Sequence, residues 1–172
     1  MSSGLSSDRS TESSFFNREL IMFQGKLLNI FVCSSKGEQM SSKTTAQLLK
    51  DRGIEGDRYC LSNVKEGFDS AITLIEVEAL EGLQNDYNVE LTANQTRRNL
   101  LTQNVPLNHL IGKEFKVGNV RLLGVELCEP CASLERRTQK GVLKGLLHRG
   151  GLRAAILDDG EIAVGDLIYP KS

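Results

Sequence analysis

Short apolar runs separated by glycine-containing turns make up most of the chain beyond its first twenty residues. Runs of this length, bounded by glycine, asparagine or aspartate, are typical of β-strands. Strands are predicted at residues 25–33, 71–75, 112–117, 120–127, 152–157, 161–164 and 167–169. Residues 44–50 fit either a strand or a short helix. The pattern predicts a mainly β fold.

Two pairs of these runs are joined by turn sequences typical of β-hairpins. Gly118-Asn119 joins the two runs within residues 112–127, and Asp158-Asp-Gly160 joins the two within residues 152–164. Such turns favour direct antiparallel pairing of the strands on either side. Because closure removes the exposed edges of a sheet, many short strands predict a closed or nearly closed barrel.

Helical periodicity is confined to a few segments, which are expected at the periphery of the barrel. In residues 76–85, Val77, Leu80 and Leu83 recur at helical spacing and form a predicted core-facing stripe. Residues 138–147 combine basic side chains with a valine and leucine stripe, and a second helix is predicted there.

The length and composition of the chain predict one globular domain. Its 172 residues are 40% hydrophobic and 25% charged, which is ordinary for such a domain. Residues 1–20 are Ser-rich and are predicted to be a disordered tail, and the domain is predicted at residues 23–170. A net charge of −1 argues against nucleic-acid binding. No apolar run is long enough to cross a membrane, so we expect no membrane partner and an intracellular, cytoplasmic protein.

The strongest candidate for chemistry is the segment Cys128-Glu-Pro-Cys131, which follows a predicted strand. Pro130 suits the first turn of a helix, where its missing N–H has no cost. Cys131 would then lie among the free amides of a helix N-terminus, with Arg136 close by, and this environment stabilises a thiolate. A thiolate there is a soft metal ligand or a sulfur nucleophile, so Cys131 is the candidate catalytic and metal-binding residue and Cys128 a supporting one.

Other interpretations of the cysteine pair need different partners. A structural zinc site usually needs a second cysteine or histidine pair, but Cys33 and Cys60 are far apart, and His109 and His148 do not form an H-x3-5-H pair. A thioredoxin-like redox motif needs a βαβ context that the neighbouring sequence lacks. Cys131 as a plain buried cysteine remains an alternative, because free cysteines are often buried.

Basic residues in two segments are candidates for an anion site. Arg97, Arg98 and Asn99 precede an apolar run, and Arg149 and Arg153 flank a double glycine. Arginine presents a rigid fork of donors that suits phosphate, and asparagine adds amide donors. The alternative for the first group is a solvent-exposed strand edge.

Three further residues are candidates for a supporting role. Asp57 and Arg58 lie in a glycine-rich loop, which is either a simple turn or the rim of a site. His148 precedes the double glycine, where the backbone can closely approach a neighbouring group.

Several motifs in this order resemble a stand-alone MOSC domain, the domain also found at the C-terminus of molybdenum cofactor sulfurases. They are Gly53-Ile-Glu-Gly-Asp57, Arg97-Arg-Asn99, residues 110–118, Cys128-Glu-Pro-Cys131, Gly151-Leu-Arg153 and Val164-Gly-Asp166. The resemblance implies a MOSC-type β-barrel with a few peripheral helices. It also implies that the key cysteine of the family corresponds to Cys131.

The resemblance implies two activities. As an oxidoreductase, the domain would bind the molybdenum cofactor (molybdopterin) through Cys131, with the basic residues on its phosphate, and reduce N-hydroxylated compounds with electrons from a separate donor protein. As a sulfur carrier, Cys131 would accept a persulfide from a separate PLP-dependent cysteine desulfurase, and PLP is not expected on this chain. A third interpretation is a non-enzymatic barrel that binds a small ligand or a partner.

Overall fold

The computed structural model describes residues 22–60 and 71–171. The predicted disordered tail lies outside these ranges. The described strands are β1 (Gly25–Val32), β2 (Ser41–Lys43), β3 (Thr45–Leu49), β4 (Gly53–Ile54), β5 (Ile72–Glu76), β6 (Leu100–Gln103), β7 (Glu114–Val117), β8 (Val120–Leu127), β9 (Leu152–Ile156), β10 (Gly160–Ala163) and β11 (Leu167–Pro170). The described helices are α1 (Val77–Tyr87), α2 (Ala132–Arg137) and α3 (Val142–Gly145), with 3₁₀ turns at Ala93–Thr96 and Leu107–Leu110.

Seven of the described strands form a closed barrel. Their order is β1-β6-β5-β9-β8-β7-β11, and β11 returns to β1, with Gly25 opposite Ile168. Neighbouring strands are antiparallel except for β5 and β6, which are parallel. Strand β2 pairs with the last three residues of β1, and β10, β3 and β4 form a small second sheet. The predicted mainly β barrel with a few peripheral helices is therefore confirmed.

Two apolar clusters stabilise this architecture. The barrel interior is filled by side chains such as Leu27, Leu74 and Phe115, each fully buried. The second cluster lies between the barrel and the helices, where Leu83 of α1 packs with Val142 of α3. Complete burial of a large apolar side chain contributes about 1.5–3 kcal/mol, so this cluster stabilises the packing of the helices on the barrel.

The structure confirms one predicted hairpin and corrects the other. Strands β7 and β8 pair directly across Gly118-Asn119. The hairpin predicted within residues 152–164 is wrong, because β9 pairs with β5 and β8 while β10 pairs with β3. Both edges of β9 are already hydrogen-bonded within the barrel, so the chain leaves the barrel after the turn and joins the second sheet.

The helix predicted at residues 138–147 is much shorter than expected. Helix α2 ends before Thr138, and α3 begins only after Gly141, which has a φ of +101°. A left-handed conformation at Gly141 interrupts any continuous helix, since an α-helix requires negative φ values. The undecided segment at residues 44–50 contains a strand, β3.

Candidate functional site

A cavity of about 330 Å³ opens at one end of the barrel. It lies where β1, the segment before β6, the end of β8 and the start of β9 come together. Its described lining residues are Cys33, Met40, Asp57, Arg58, Tyr59, Ala71, Thr73, Arg97, Arg98, Asn99, Cys128 and Arg153. Four arginines and a single carboxylate are therefore among the described lining side chains.

Arg98 connects three parts of the cavity wall. It is 9% exposed, and its guanidinium donates to backbone carbonyl oxygens of Gly150 at 2.9 Å, Thr96 at 3.2 Å and Cys128 at 2.8 Å. The predicted solvent-exposed edge therefore does not apply to this residue. The planar fork of arginine can reach three separate carbonyl groups at once, which a lysine ammonium on a flexible stem does less well.

The positive charge of Arg98 is buried without a carboxylate partner among the described residues. Burial lowers the pKa of the guanidinium, the neighbouring Cys128 partly offsets this, and the nearby charge of Arg153 lowers the pKa further. Arginine nevertheless stays charged in proteins. Because a buried charge is costly unless it is compensated, this end of the barrel favours an anion in the cavity.

Arg97 and Arg153 contribute charge nearer the solvent. Arg97 has a φ of +65°, and its guanidinium donates to the Cys33 sulfur at 3.2 Å and to the Glu38 carbonyl oxygen. Arg153 forms an ion pair with Glu126 at 3.3 Å on a largely exposed surface. Exposed pairs of this kind contribute little energy, so Arg153 can exchange its partner for a ligand anion.

Asp57 and Asn99 hold the cavity wall through backbone contacts. The Asp57 carboxylate accepts from the Cys33 N–H at 3.0 Å and from the Asn99 amide at 3.4 Å. Asn99 also accepts from the Thr73 N–H at 3.1 Å and donates to the Phe31 carbonyl at 3.1 Å. Both side chains are buried, and these bonds fix the relative positions of β1, β5 and the loop at residues 53–60.

The cysteine pair is divided between the interior and the surface. Cys128 is 2% exposed and lines the cavity, whereas Cys131 is exposed and is not among the described lining residues. Cys131 is the N-cap of α2, so Pro130 lies before the helix and not in its first turn as predicted. The chain is still extended at Cys131, which delays the helix start by two residues. The interpretation of Cys131 as a plain buried cysteine is wrong.

Comparison with known proteins agrees with this fold. The family model of the MOSC domain matches residues 40–169, most of the chain. The chain belongs to the MOSC domain family. The comparison with curated protein sequences gives no match.

Solved structures resemble this MOSC domain in fold. The YuaD protein from Bacillus subtilis has a TM-score of 0.76 at 14% identity, over 89% of this chain and 100% of that one. YiiM from Geobacillus stearothermophilus has a TM-score of 0.64 at 14% identity, over 86% of this chain and 75% of that one. YiiM from Escherichia coli has a TM-score of 0.62 at 14% identity, over 88% and 70% of the two chains.

Glu129 is a residue of the MOSC domain that sequence reasoning missed. Its carboxylate accepts from the His148 backbone N–H at 2.9 Å and contacts the His148 Nδ1 at 2.9 Å. His148 has a φ of +61°, so this clamp holds a residue in an uncommon backbone conformation. The cysteine loop is thereby fastened to the turn that precedes β9. The signal in the sequence was the charged residue Glu129 between the two cysteines. Its partner, His148, lies 19 residues further along the chain.

The double glycine after Arg149 lets the chain pack closely against the cysteine loop and β5. A Cβ on Gly150 would lie 2.6 Å from the Cys128 carbonyl oxygen, and one on Gly151 would lie 2.0 Å from the Leu74 carbonyl oxygen. The sequence predicted a close backbone approach here, and the structure identifies the approaching groups as the cysteine loop and β5.

The structure does not bring Arg149 to this cavity. Its guanidinium donates to the Gly145 carbonyl at 2.7 Å and pairs with Asp86 of α1 at 3.0 Å. His148 likewise has a largely exposed side chain turned to Glu129. Of the predicted basic residues, Arg58, Arg97, Arg98 and Arg153 line the cavity together.

Neither a clustered metal site nor a membrane-spanning helix is found in the described ranges, 22–60 and 71–171. No group of three or more His, Cys, Asp or Glu side chains among them is arranged to hold a metal ion. None of the described helices combines the length and apolar character that a membrane crossing requires.

The Glu129–His148 clamp predicts a pH-dependent stability. Partial burial alone would raise the pKa of Glu129, but the hydrogen bonds from His148 outweigh this and lower it. A lowered pKa stabilises the fold at neutral pH, and this contribution is lost as the pH falls through the folded-state value. Glu129→Gln should therefore reduce the free energy of unfolding at pH 7 by less than about 1 kcal/mol, since the pair is partly exposed.

The measurement is urea unfolding of both proteins at neutral pH and at a pH well below the ordinary glutamate pKa of about 4.3, because the folded-state pKa of Glu129 is lower still. The difference between them should disappear in acid. Glu81→Gln, on the exposed surface of α1, is the control and should show no difference at either pH. An unchanged penalty in acid would contradict a role for the ionised carboxylate.

Proposed function

We propose that this MOSC domain binds the molybdenum cofactor, with its phosphate in the arginine-lined cavity and Cys131 as the thiolate ligand of the metal. The observation that carries the proposal is the buried charge of Arg98, which has no carboxylate partner among the described residues. Membership of the MOSC family supports the choice of cofactor. An anionic phosphate supplies the charge that the cavity favours.

The chemistry of the residues around the cavity supports this proposal. Arg97 and Arg153 line the cavity close to solvent and are suited to bind and orient a phosphate. Arg98 fixes the Cys128 carbonyl and thereby the start of the loop that carries Cys131. The exposed Cys131 is accessible to a soft metal, which prefers thiolate ligands.

When bound, the cofactor supplies oxygen-atom transfer, and the substrates proposed are N-hydroxylated compounds. The chain contributes binding and orientation, and a separate redox protein is the proposed source of electrons. The domain would then act as a molybdenum-dependent oxidoreductase.

The test is elemental analysis for molybdenum and zinc after purification from a host that makes the pterin cofactor. About one molybdenum per chain is expected, with at least a tenfold loss in Cys131→Ala. Cys60→Ala is the matched control, because Cys60 is half-buried and outside the cysteine loop. Absence of molybdenum from all three proteins would overturn the proposal. Zinc that disappears when either Cys128 or Cys131 is changed would indicate a structural zinc site.

The exposure of Cys131 favours one second candidate, a sulfur carrier. Its thiolate would attack the outer sulfur of a persulfide on a cysteine desulfurase. One S–S bond would form on Cys131 as the donor S–S bond breaks, and the donor cysteine would leave as a thiolate. Mass spectrometry after incubation with a desulfurase and cysteine should then detect one added sulfur atom on Cys131, and none should be found in Cys131→Ala.

A further inference from the structure

The rim of the cavity carries an exposed aromatic side chain on a firmly held loop. Tyr59 is 58% exposed although it lines the cavity. Its backbone N–H donates to the Asp57 carboxylate at 3.0 Å, and the Arg58 N–H donates to the Cys33 carbonyl at 2.8 Å. Asp57 is itself buried and accepts from the N–H of Cys33, the residue after β1, so the backbone that carries the ring is held against the barrel wall.

Arg58 lies over the ring of Tyr59. Its guanidinium carbon is 4.3 Å from the ring centroid, and its Nη2 donates to the Tyr59 hydroxyl at 2.7 Å. Arg58 has no ion pair with a carboxylate among the described residues. The two side chains therefore present a flat surface and a positive charge, and they are already arranged before a ligand binds.

The cavity is larger than a small anion alone would fill. Its volume, about 330 Å³, lies at the lower end of the range for pockets that bind organic molecules, about 300–1,000 Å³. Its arginines favour a negative group, while the exposed Tyr59 at the mouth offers an aromatic face. A planar heterocycle that carries a phosphate matches both parts.

We propose that Tyr59, backed by Arg58, is a stacking surface for a planar ring on the ligand whose anionic group enters the arginine-lined cavity. This inference rests on the proposed anion site and adds the residues that recognise the planar ring of a phosphate-bearing ligand. Tyr59 thereby determines specificity, because an aliphatic phosphate gains nothing from it.

The test compares three probes on the full chain produced in a host that lacks the pterin cofactor. Guanosine 5′-monophosphate has ring and phosphate, ribose 5-phosphate has the phosphate alone, and guanosine has the ring alone. Dissociation constants are measured by ligand-observed NMR titration. Stacking of a base on an aromatic side chain predicts that the ring tightens phosphate binding at least fivefold.

Two variants of Tyr59 show whether the aromatic ring is responsible for the preference. Tyr59→Phe keeps the aromatic face and should keep the preference for guanosine 5′-monophosphate over ribose 5-phosphate. Tyr59→Leu removes the face, and the two phosphates should then bind within twofold of each other. Circular dichroism and thermal unfolding verify that both variants fold, as expected for a largely exposed side chain.

The other outcomes separate this inference from the proposed function. Equal binding of the two phosphates by the unmodified protein, or a preference that survives in Tyr59→Leu, overturns stacking on Tyr59 and leaves the anion site in place. Failure of both phosphates to bind overturns the inference together with the anion site. Binding of molybdenum through Cys131 is then decided separately by elemental analysis.

Discussion

Replacement of Arg98 by alanine should destabilise the domain by about 3–5 kcal/mol, because a buried side chain that donates hydrogen bonds to several backbone carbonyl groups is removed. The change leaves three backbone carbonyl groups, those of Gly150, Thr96 and Cys128, without their donor. Each unsatisfied buried acceptor has a cost of about 1–3 kcal/mol, and water that enters the space relieves part of it. Urea unfolding followed by circular dichroism measures the difference.

Arg149→Ala is the matched control for this substitution. Arg149 also bonds one backbone carbonyl, that of Gly145, but its ion pair with Asp86 lies at the surface. The expected loss is about 1 kcal/mol or less. Arg98→Lys should recover a minority of the lost stability, since one ammonium cannot reach all three carbonyls. Similar losses for Arg98→Ala and Arg149→Ala would contradict the role of Arg98 as a connector of the cavity wall.

The barrel could be predicted from sequence because its strands are marked by local patterns. The hairpin at residues 112–127 has its turn and both strands in one continuous segment, and it forms as predicted. The segment at residues 152–164 has an equally good turn, but the partners of β9 are distant in sequence. Local turn chemistry does not report that both edges of β9 are occupied, so that pairing could not be predicted.

The candidate site shows the same division between local and distant information. Arg98 and Arg149 are the same residue type, each near a glycine or an apolar run, and both were predicted as anion ligands. Arg98 precedes β6, a strand of the barrel, and lines the cavity, whereas Arg149 pairs with Asp86 of α1. Glu129 was missed because its partner, His148, is brought close only by the fold. Tyr59 was missed because the cavity that it lines is formed by segments distant in sequence.

The difference in exposure between Cys128 and Cys131 follows from the way strand β8 ends. At Cys128 the chain still follows the barrel wall, and its N–H donates to the Gly151 carbonyl at 2.7 Å. Three residues later Cys131 has turned outward to begin α2. A spacing of three is enough to take one sulfur from the buried wall to the solvent, which a C-x-x-C motif alone does not reveal.

Thiol labelling of the native protein should therefore single out Cys131. We expect a bulky maleimide to modify Cys131 at least 100-fold faster than Cys33 or Cys128, which are 3% and 2% exposed. A buried thiol reacts only after local opening, and an opening free energy of about 3 kcal/mol already slows labelling by that factor. Cys60, which is half-buried, should react at an intermediate rate.

Peptide mapping by mass spectrometry at successive times measures the four rates. Cys131→Ala should abolish the fast phase, and Cys60→Ala should leave it intact. In urea the described thiols should all react at similar rates, which verifies that burial and not the neighbouring sequence sets the order. Labelling of Cys128 as fast as Cys131 would mean that the loop opens readily. The hydrogen bonds from Arg98 to this loop could then not hold Cys131 in one position for a metal or a persulfide.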